Sequence, residues 1–261
     1  MQNRKYKILL VIMILVLIAM NYNYLNGFVT KNFSNEKEIS VSRVIDGDTI
    51  VDTDGLHYRM LGINTPEKTE YLYLEAKKFN EAQALNRSLT IESKGKDLYD
   101  RELAYLFDNE KNLNLELVRA GYAGTYFPEG KDIHYEEFAS AWEECLNKNI
   151  NLCEKSTSKC ASCIQLKEWD FDNQIVGLYN KCDYDCNVNK WRIKDEGRKN
   201  YIFGNVSIKS NNYLYVIVGN KTDSGNKLYW KGQTYVWTRT GDSIFLRDSD
   251  WKLVLWETKG Y

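Results

Sequence analysis

With 261 residues, the chain has room for two domains of ordinary size. Its 19 tyrosines, 9 phenylalanines and 7 tryptophans exclude a largely disordered protein. A formal net charge of −1 excludes a nucleic-acid binder held by a broad basic surface, so any phosphate recognition has to be local.

At the N-terminus, Arg4, Lys5 and Lys7 precede the apolar run Ile8–Met20, and no further charge appears until Lys31. The apolar core has signal-peptide length, while Ile8–Thr30 is long enough to span a bilayer. No Ala-x-Ala-like cleavage site stands out, which favours an uncleaved signal anchor over residues 1–31. The basic flank then puts the N-terminus inside and the rest of the chain outside. The expected location is extracellular, secreted or held on the outer face of the membrane.

Residues 21–37 are polar and read as a tether. Strand patterns follow at Glu38–Val44, Thr49–Val51 and Leu56–Leu61, with Asp54-Gly55 as the turn signal between the last two. This hairpin gathers Asp48, Arg59 and the corner Asn64-Thr65-Pro66-Glu67. Oxygen donors of this kind suit a hard cation such as Ca2+, and a guanidinium suits a phosphate. A solvated hairpin with ordinary surface charges is the alternative. A helix is expected over Leu72–Leu89, with Leu72, Ala76, Phe79 and Leu85 or Leu89 on its apolar face. Strands Leu89–Ser93 and Leu103–Phe107 come next, then a helix over Asn114–Ala120 ending at Gly121. A third helix, Ile133–Asn147, carries Phe138, Ala141, Trp142 and Cys145 on one face.

The six cysteines are Cys145, Cys153, Cys160, Cys163, Cys182 and Cys186. An even, clustered set in an exported chain favours disulfides. The spacing Cys160-x-x-Cys163 with Cys182-x3-Cys186 leaves a four-thiolate zinc site open as the alternative. Beyond Cys163 the pattern is of short strands, at Ile164–Leu166, Trp191–Ile193, Tyr201–Phe203, Leu214–Val218, Leu228–Trp230, Ser243–Leu246 and Leu253–Trp256. Gly, Asn and Asp punctuate them and no helical period appears, as in a β-sandwich. The tryptophans there are expected in the core.

Several pieces of the first half, in order, resemble the staphylococcal nuclease family. They are Val-Ile-Asp-Gly-Asp-Thr at 44–49, Tyr-Arg-Met-Leu-Gly-Ile at 58–63 and Asn-Thr-Pro-Glu at 64–67. Further matches are Glu75-Ala76, Tyr99-Asp-Arg-Glu-Leu-Ala-Tyr105 and Glu116-Leu-Val-Arg-Ala-Gly-Tyr-Ala123. In the second half, Trp191-Arg-Ile-Lys-Asp-Glu-Gly-Arg198, Leu228-Tyr-Trp230 and Trp237-Thr-Arg-Thr-Gly-Asp-Ser-Ile-Phe-Leu-Arg-Asp248 resemble the lamin-tail domain.

These resemblances imply a β-rich protein of two domains. The first, residues 32–155, is an OB-fold-like five-stranded β-barrel with three helices, and the second, 156–261, an immunoglobulin-like β-sandwich. A Cys145–Cys153 bridge is the first pair expected, because both residues lie in the first domain. The other four then tie the linker to the start of the second. The implied activity is Ca2+-dependent hydrolysis of single- or double-stranded DNA and RNA, with little sequence preference and 3′-phosphate products. Asp48, Asn64 and the Thr65 carbonyl would hold the metal, Glu67 would act as general base, and Arg59 and Arg101 would grip the phosphate. Tyr99 and Tyr126 would line the nucleotide pocket. Asn64 departs from the family's usual Asp, and Leu98 stands where some relatives have Lys. His57 and His134, the only histidines, sit in no catalytic spacing and are expected at the surface. The rival implication is a lapsed nuclease serving as a cell-surface adhesion or nucleic-acid-binding module.

Overall fold

The computed structural model describes residues 36–261, together with Tyr6, Met13, Leu17 and Asn21. The signal or anchor segment expected over residues 1–31 therefore lies outside the described residues, apart from those single positions. Among the described residues, no helix is long and apolar enough to cross a membrane.

The first unit is a closed barrel. Strands β1 (Glu36–Val44), β2 (Thr49–Asp52), β3 (His57–Met60), β5 (Ser88–Lys96) and β6 (Glu102–Asp108) hydrogen-bond in the order β3-β2-β1-β5-β6. A parallel β3–β6 pairing closes the ring. Two short pieces, β4 (Gly62–Asn64) and β8 (Gly124–Tyr126), form their own ribbon beside it, and β7 (Lys111–Asn112) extends β6. Ile39, Val41, Ile50, Tyr58, Met60, Leu89, Ile91 and Leu106 fill the interior with alternate side chains of these strands.

Three helices pack around the barrel: α1 (Tyr73–Ala84), α2 (Leu113–Arg119) and α3 (Tyr135–Lys148). The first is shorter than its pattern suggested; Leu72 and Ala76 are buried and Phe79 packs on the core as expected, but amides share the buried stripe. Ala76, Asn80, Gln83 and Ala84 face inward, whereas Leu85 lies beyond the helix end and is exposed. Its backbone turns extended at Leu85 and left-handed at Asn86, which starts β5 and carries Leu89 into the barrel. In α2, the Asn112 side chain caps the Leu115 N–H, and Gly121 follows Ala120 with φ +71°. Any Cβ at Gly121 would stand 2.8 Å from Cys145 Sγ, so glycine is required for both conformation and space.

The second unit is a two-sheet sandwich. One sheet runs β16 (Lys227–Trp230), β15 (Tyr213–Val218), β10 (Ile175–Asn180) and β9 (Ile164–Asp170), and the other β13 (Asn200–Ile202), β12 (Arg192–Lys194), β17 (Asp242–Arg247) and β18 (Leu253–Lys259). A small ribbon joins β11 (Cys186–Asn187) to β14 (Ser207–Ile208). Strand β10, the one long strand the sequence pattern did not reveal, pairs with both β9 and β15. Trp169, Trp191, Trp230 and Trp237 are buried in the core between the sheets, as expected of tryptophan here. The cysteines pair as Cys145–Cys153, Cys160–Cys186 and Cys163–Cys182, which leaves no thiolate for zinc.

The two units are joined through β17. All six of its residues are buried. Ile244 and Leu246 point into the sandwich, while Phe245 turns the other way and joins the barrel's core with Leu253. The Trp142 ring of α3 meets Phe245 edge-on at 5.6 Å and Trp256 at 6.0 Å between centroids. The linker is fixed as well, because Leu253 N donates to Glu154 O and Ser156 N to Leu253 O.

Three acids are buried at this joint, and burial is the main reason each is hard to ionise. Asp195 is pushed up to about 7 and Glu196 to about 8, with Asp242 at about 6. The charge of Asp242 adds to the first two shifts, and Lys199 opposes those of Asp195 and Asp242. Unfolded carboxyls titrate near 4, so between about pH 4 and 8 the folded chain holds more protons than the unfolded one. The stability linked to these protons is complete below pH 4 and is lost as pH climbs through the three raised values. Thermal melts in chelator should therefore show lower stability at pH 8.5 than at pH 5.5, with a flatter slope in Glu196→Gln. A melt temperature that rises over this range would contradict the assignment.

Candidate active site

The site lies where β2, β3 and β4 leave the barrel. The turn Asp46-Gly47-Asp48 precedes β2 and packs on the loop after β4. A Cβ on Gly47 would stand 2.7 Å from the Thr65 side chain, so only glycine lets the two segments approach this closely. Asn80 of α1, fully buried, donates to the Gly47 carbonyl at 3.1 Å and holds the turn from beneath.

Asp48 is the hub. Its Oδ2 accepts from Thr65 N at 2.9 Å and Thr65 Oγ1 at 2.8 Å, and lies 3.3 Å from the Arg59 guanidinium. Arg59 is itself buried and also donates to the carbonyls of Met60 and Ile63, the latter at 2.9 Å. The closing β3–β6 pairing sets Arg59 opposite Leu103, so Arg101 stands two residues down the adjacent strand line, roughly 7 Å away in strand rise. Asp97 aligns it, accepting from Arg101 Nε at 2.8 Å and from its backbone N at 3.1 Å. Burial works against the Asp97 charge, but the bonds from Arg101 outweigh it and hold the carboxyl below its usual range.

The remaining expected residues are spread around this core. Glu67 is 44% exposed at the rim. Tyr126, half-buried, lies across from Gly62 in the β4–β8 ribbon. Burial raises its hydroxyl pKa, partly offset by the nearby Arg59. Tyr99 is exposed on the turn before β6, with the Arg101 guanidinium 5.6 Å from its ring centroid. Leu98 beside it is fully exposed. His57 is at the surface as expected, whereas His134 is half-buried, 3.0 Å from Glu92 and tilted against the Tyr105 ring.

The donors near Asp48 fit a hard cation. Asp46 is harder to ionise than an ordinary Asp, through burial first and the neighbouring Asp48 charge second. Two carboxylates that repel each other beside a main-chain turn form an oxygen-only donor set of the type Ca2+ takes. No group of three or more His, Cys, Asp or Glu side chains is clustered for a metal among the described residues, so any cation here would rest on this pair and on carbonyl oxygens. Asp46 lies beside Asp48 in an Asp-x-Asp spacing and accepts from the Asp48 N–H at 3.1 Å.

Asn64 has an unexpected partner. Its Nδ2 donates to Gly197 O at 2.6 Å and Glu196 O at 3.2 Å, both in the loop between β12 and β13 of the sandwich. Its Oδ1 faces the Arg59 guanidinium at 3.4 Å. Other contacts from the same part of the sandwich reach the site. Lys194 pairs with Glu70 at 2.6 Å, Arg198 Nε with Glu67 at 2.7 Å, and Glu196 accepts from Phe127 N at 3.3 Å. Nothing in the local sequence signals these contacts, because the hydrogen-bonded partners lie 69 to 133 residues apart. An aspartate at position 64 would turn an acceptor toward two carbonyl oxygens. Asn64→Asp should therefore cost about 1–3 kcal/mol, the usual loss for a buried polar group left unpaired. A melt in chelator should show Tm lower by several degrees, and an unchanged Tm would mean the amide does not hold the joint.

Comparison with known proteins agrees with this geometry. Residues 57–155 match the family described as Staphylococcal nuclease homologue, and residues 157–260 match the Lamin Tail Domain. The chain is 34% identical over 130 residues to the thermonuclease of Staphylococcus hyicus, covering 45% of this chain and 77% of that one. It is 31% identical over 159 residues to the thermonuclease of Staphylococcus intermedius, covering 55% and 95%. An uncharacterized endonuclease of Haemophilus influenzae is 30% identical over 116 residues, covering 43% and 64%. A closed barrel with two arginines at its seam, matched over most of a thermonuclease's length, identifies the chain as a member of the staphylococcal nuclease family that carries a lamin-tail domain at its C-terminal side.

Proposed function

We propose that the protein is an exported, Ca2+-dependent phosphodiesterase that hydrolyses DNA and RNA with little sequence preference and leaves 3′-phosphate ends. The observation that carries this reading is the convergence of Asp48, Arg59 and the Asn64–Glu67 corner, with Arg101 just before the strand that closes the barrel.

Asp48, with Asp46 beside it and the Thr65 carbonyl, would hold Ca2+. When bound, the ion supplies Lewis-acid polarisation of the phosphate and neutralises part of its charge. Glu67 takes the proton of the attacking water, for which its rim position gives solvent access. Water oxygen bonds to phosphorus as the bond to the 5′ oxygen breaks, so the phosphate stays on the 3′ side. Arg59 and Arg101 hold the non-bridging oxygens, whose negative charge grows in the pentacoordinate transition state. Both guanidiniums are already oriented by carboxylates, Arg59 by Asp48 and Arg101 by Asp97, so little ordering is left for the reaction itself. Tyr126, and Tyr99 at the mouth, offer ring faces for bases, a form of contact indifferent to sequence. For Asn64, the geometry favours tying the metal corner to the second domain over direct ligation. Three disulfides support a location outside the cell, secreted or anchored through the N-terminal segment.

Full-length protein should digest single-stranded DNA with Ca2+, stop in chelator, and give 5′ ends that a kinase labels directly and 3′ ends that a terminal transferase extends only after phosphatase treatment. Glu67→Gln should lower kcat by roughly two to four orders of magnitude, the range for a lost general base. Near-native turnover in a folded Glu67→Gln protein would remove Glu67 from the mechanism. A wild-type protein that binds DNA yet never cuts it would favour the adhesion or capture module instead.

A further inference from the structure

The sandwich brings a third arginine, Arg198, to the rim of the site beside Glu67. The loop Asp195–Lys199 closes tightly on itself, with Asp195 N donating to Lys199 O at 3.1 Å and Lys199 N to Asp195 Oδ1 at 2.8 Å. Its approach to the barrel is fixed by the partly buried Lys194–Glu70 pair and by the two Asn64 bonds to the carbonyls of 196 and 197. Glu196 adds bonds from Phe127 N and the Tyr261 hydroxyl. The backbone beneath Arg198 is thus held, while its side chain is 61% exposed and reaches Glu67 Oε1 at 2.7 Å.

An ion pair this exposed contributes little and exchanges readily for another anion. Arg59 and Arg101 are each matched by a carboxylate with which they share a fixed geometry. Among the described residues, Arg198 pairs only with the rim carboxylate that the proposed chemistry needs unencumbered. The anion the cleft is built to receive is a phosphodiester, for which a guanidinium is well suited.

We propose that the β12–β13 loop is a wall of the nuclease cleft and that Arg198 is a substrate-binding residue, exchanging Glu67 for a backbone phosphate oxygen when a nucleic-acid strand enters. The lamin-tail domain then supplies part of the substrate site rather than a separate function. This inference rests on the phosphodiesterase reading given above.

The test uses full-length wild type, Arg198→Ala and Arg198→Lys with a fluorescent single-stranded oligonucleotide. Cleavage is followed with Ca2+ and binding in chelator, both across a salt series. Arg198→Ala should raise KM and Kd about tenfold, the effect of losing one charge-assisted hydrogen bond, with kcat within about twofold. The slope of log affinity against log salt should shrink by about 0.7, the value for one phosphate contact on a single strand. Arg198→Lys should recover the slope and part of the affinity. Unchanged KM, Kd and slope in Arg198→Ala would overturn the proposal. So would a rise in kcat/KM, which would make the arginine a restraint on Glu67 alone. Because binding is read without turnover, an inactive wild type would defeat the phosphodiesterase reading while the Arg198 contact is still decided by Kd and slope.

Discussion

Everything distinctive in this protein depends on one strand being covered on both faces. Strand β17 buries Ile244 and Leu246 in the sandwich and Phe245 against Trp142 of the barrel's third helix. Aromatic contacts of this kind remove large apolar areas from water, on the order of 150–250 Å² for each ring. Once that face is committed, the neighbouring strand β12 and the loop after it have nowhere to go but over the Asn64–Glu67 corner. Position and charge at the active site therefore follow from packing some distance away.

The polar groups drawn into the joint show what such packing demands. Arg192 and Arg247 are register partners on β12 and β17 and both are buried. Arg247 is pushed down to about 10, mainly by burial, with Glu70 countering it. Arg192 stacks its guanidinium 3.3 Å from the Trp251 ring centroid, an arrangement available to a weakly hydrated planar cation and not to lysine. Asp195, Glu196 and Asp242 meet the same low-dielectric setting by taking up protons more readily. At Asn64 the solution is different, since an amide can offer donors to two carbonyls while keeping an oxygen toward Arg59. An amide at position 64 thus has a physical reason in the second domain.

Much of this architecture was legible in the residues. Thr49-Ile-Val and Tyr58-Arg-Met were readable as short strands around the Asp54-Gly55 turn, and they pair as a hairpin, whereas the parallel β3–β6 closure had no signal in the residues. The Cys145–Cys153 bridge was expected from its place in the first domain. Helix α1 buries Ala76 as its pattern predicts, but Asn80 and Gln83 share that stripe, and a hydropathy pattern does not register a buried amide that holds a turn. Strand β10 escaped notice because Gly177 interrupts its apolar run. That glycine is needed where a Cβ would come within 2.8 Å of Glu168. The contacts of Asn64 and Arg198 with distant partners had no local signal at all.

The joint also changes what counts as a unit. A boundary drawn after residue 155 follows the sequence motifs, yet the linker there is already hydrogen-bonded to Leu253 on the last strand. Cutting the chain at that point would expose Trp142, uncover the barrel core beneath Phe245, and strip Asn64 of both acceptors. Because the linker is short and paired, the two halves are not tethered bodies that meet by diffusion. The entropy of bringing them together is spent when the chain folds and is not charged again when substrate arrives. A loop held in this way can place Arg198 at the rim within a narrow range of positions, which a separately bound partner could match only by ordering itself on each encounter. The sandwich is therefore better understood as the outer wall of a single catalytic body than as a second module carried alongside it.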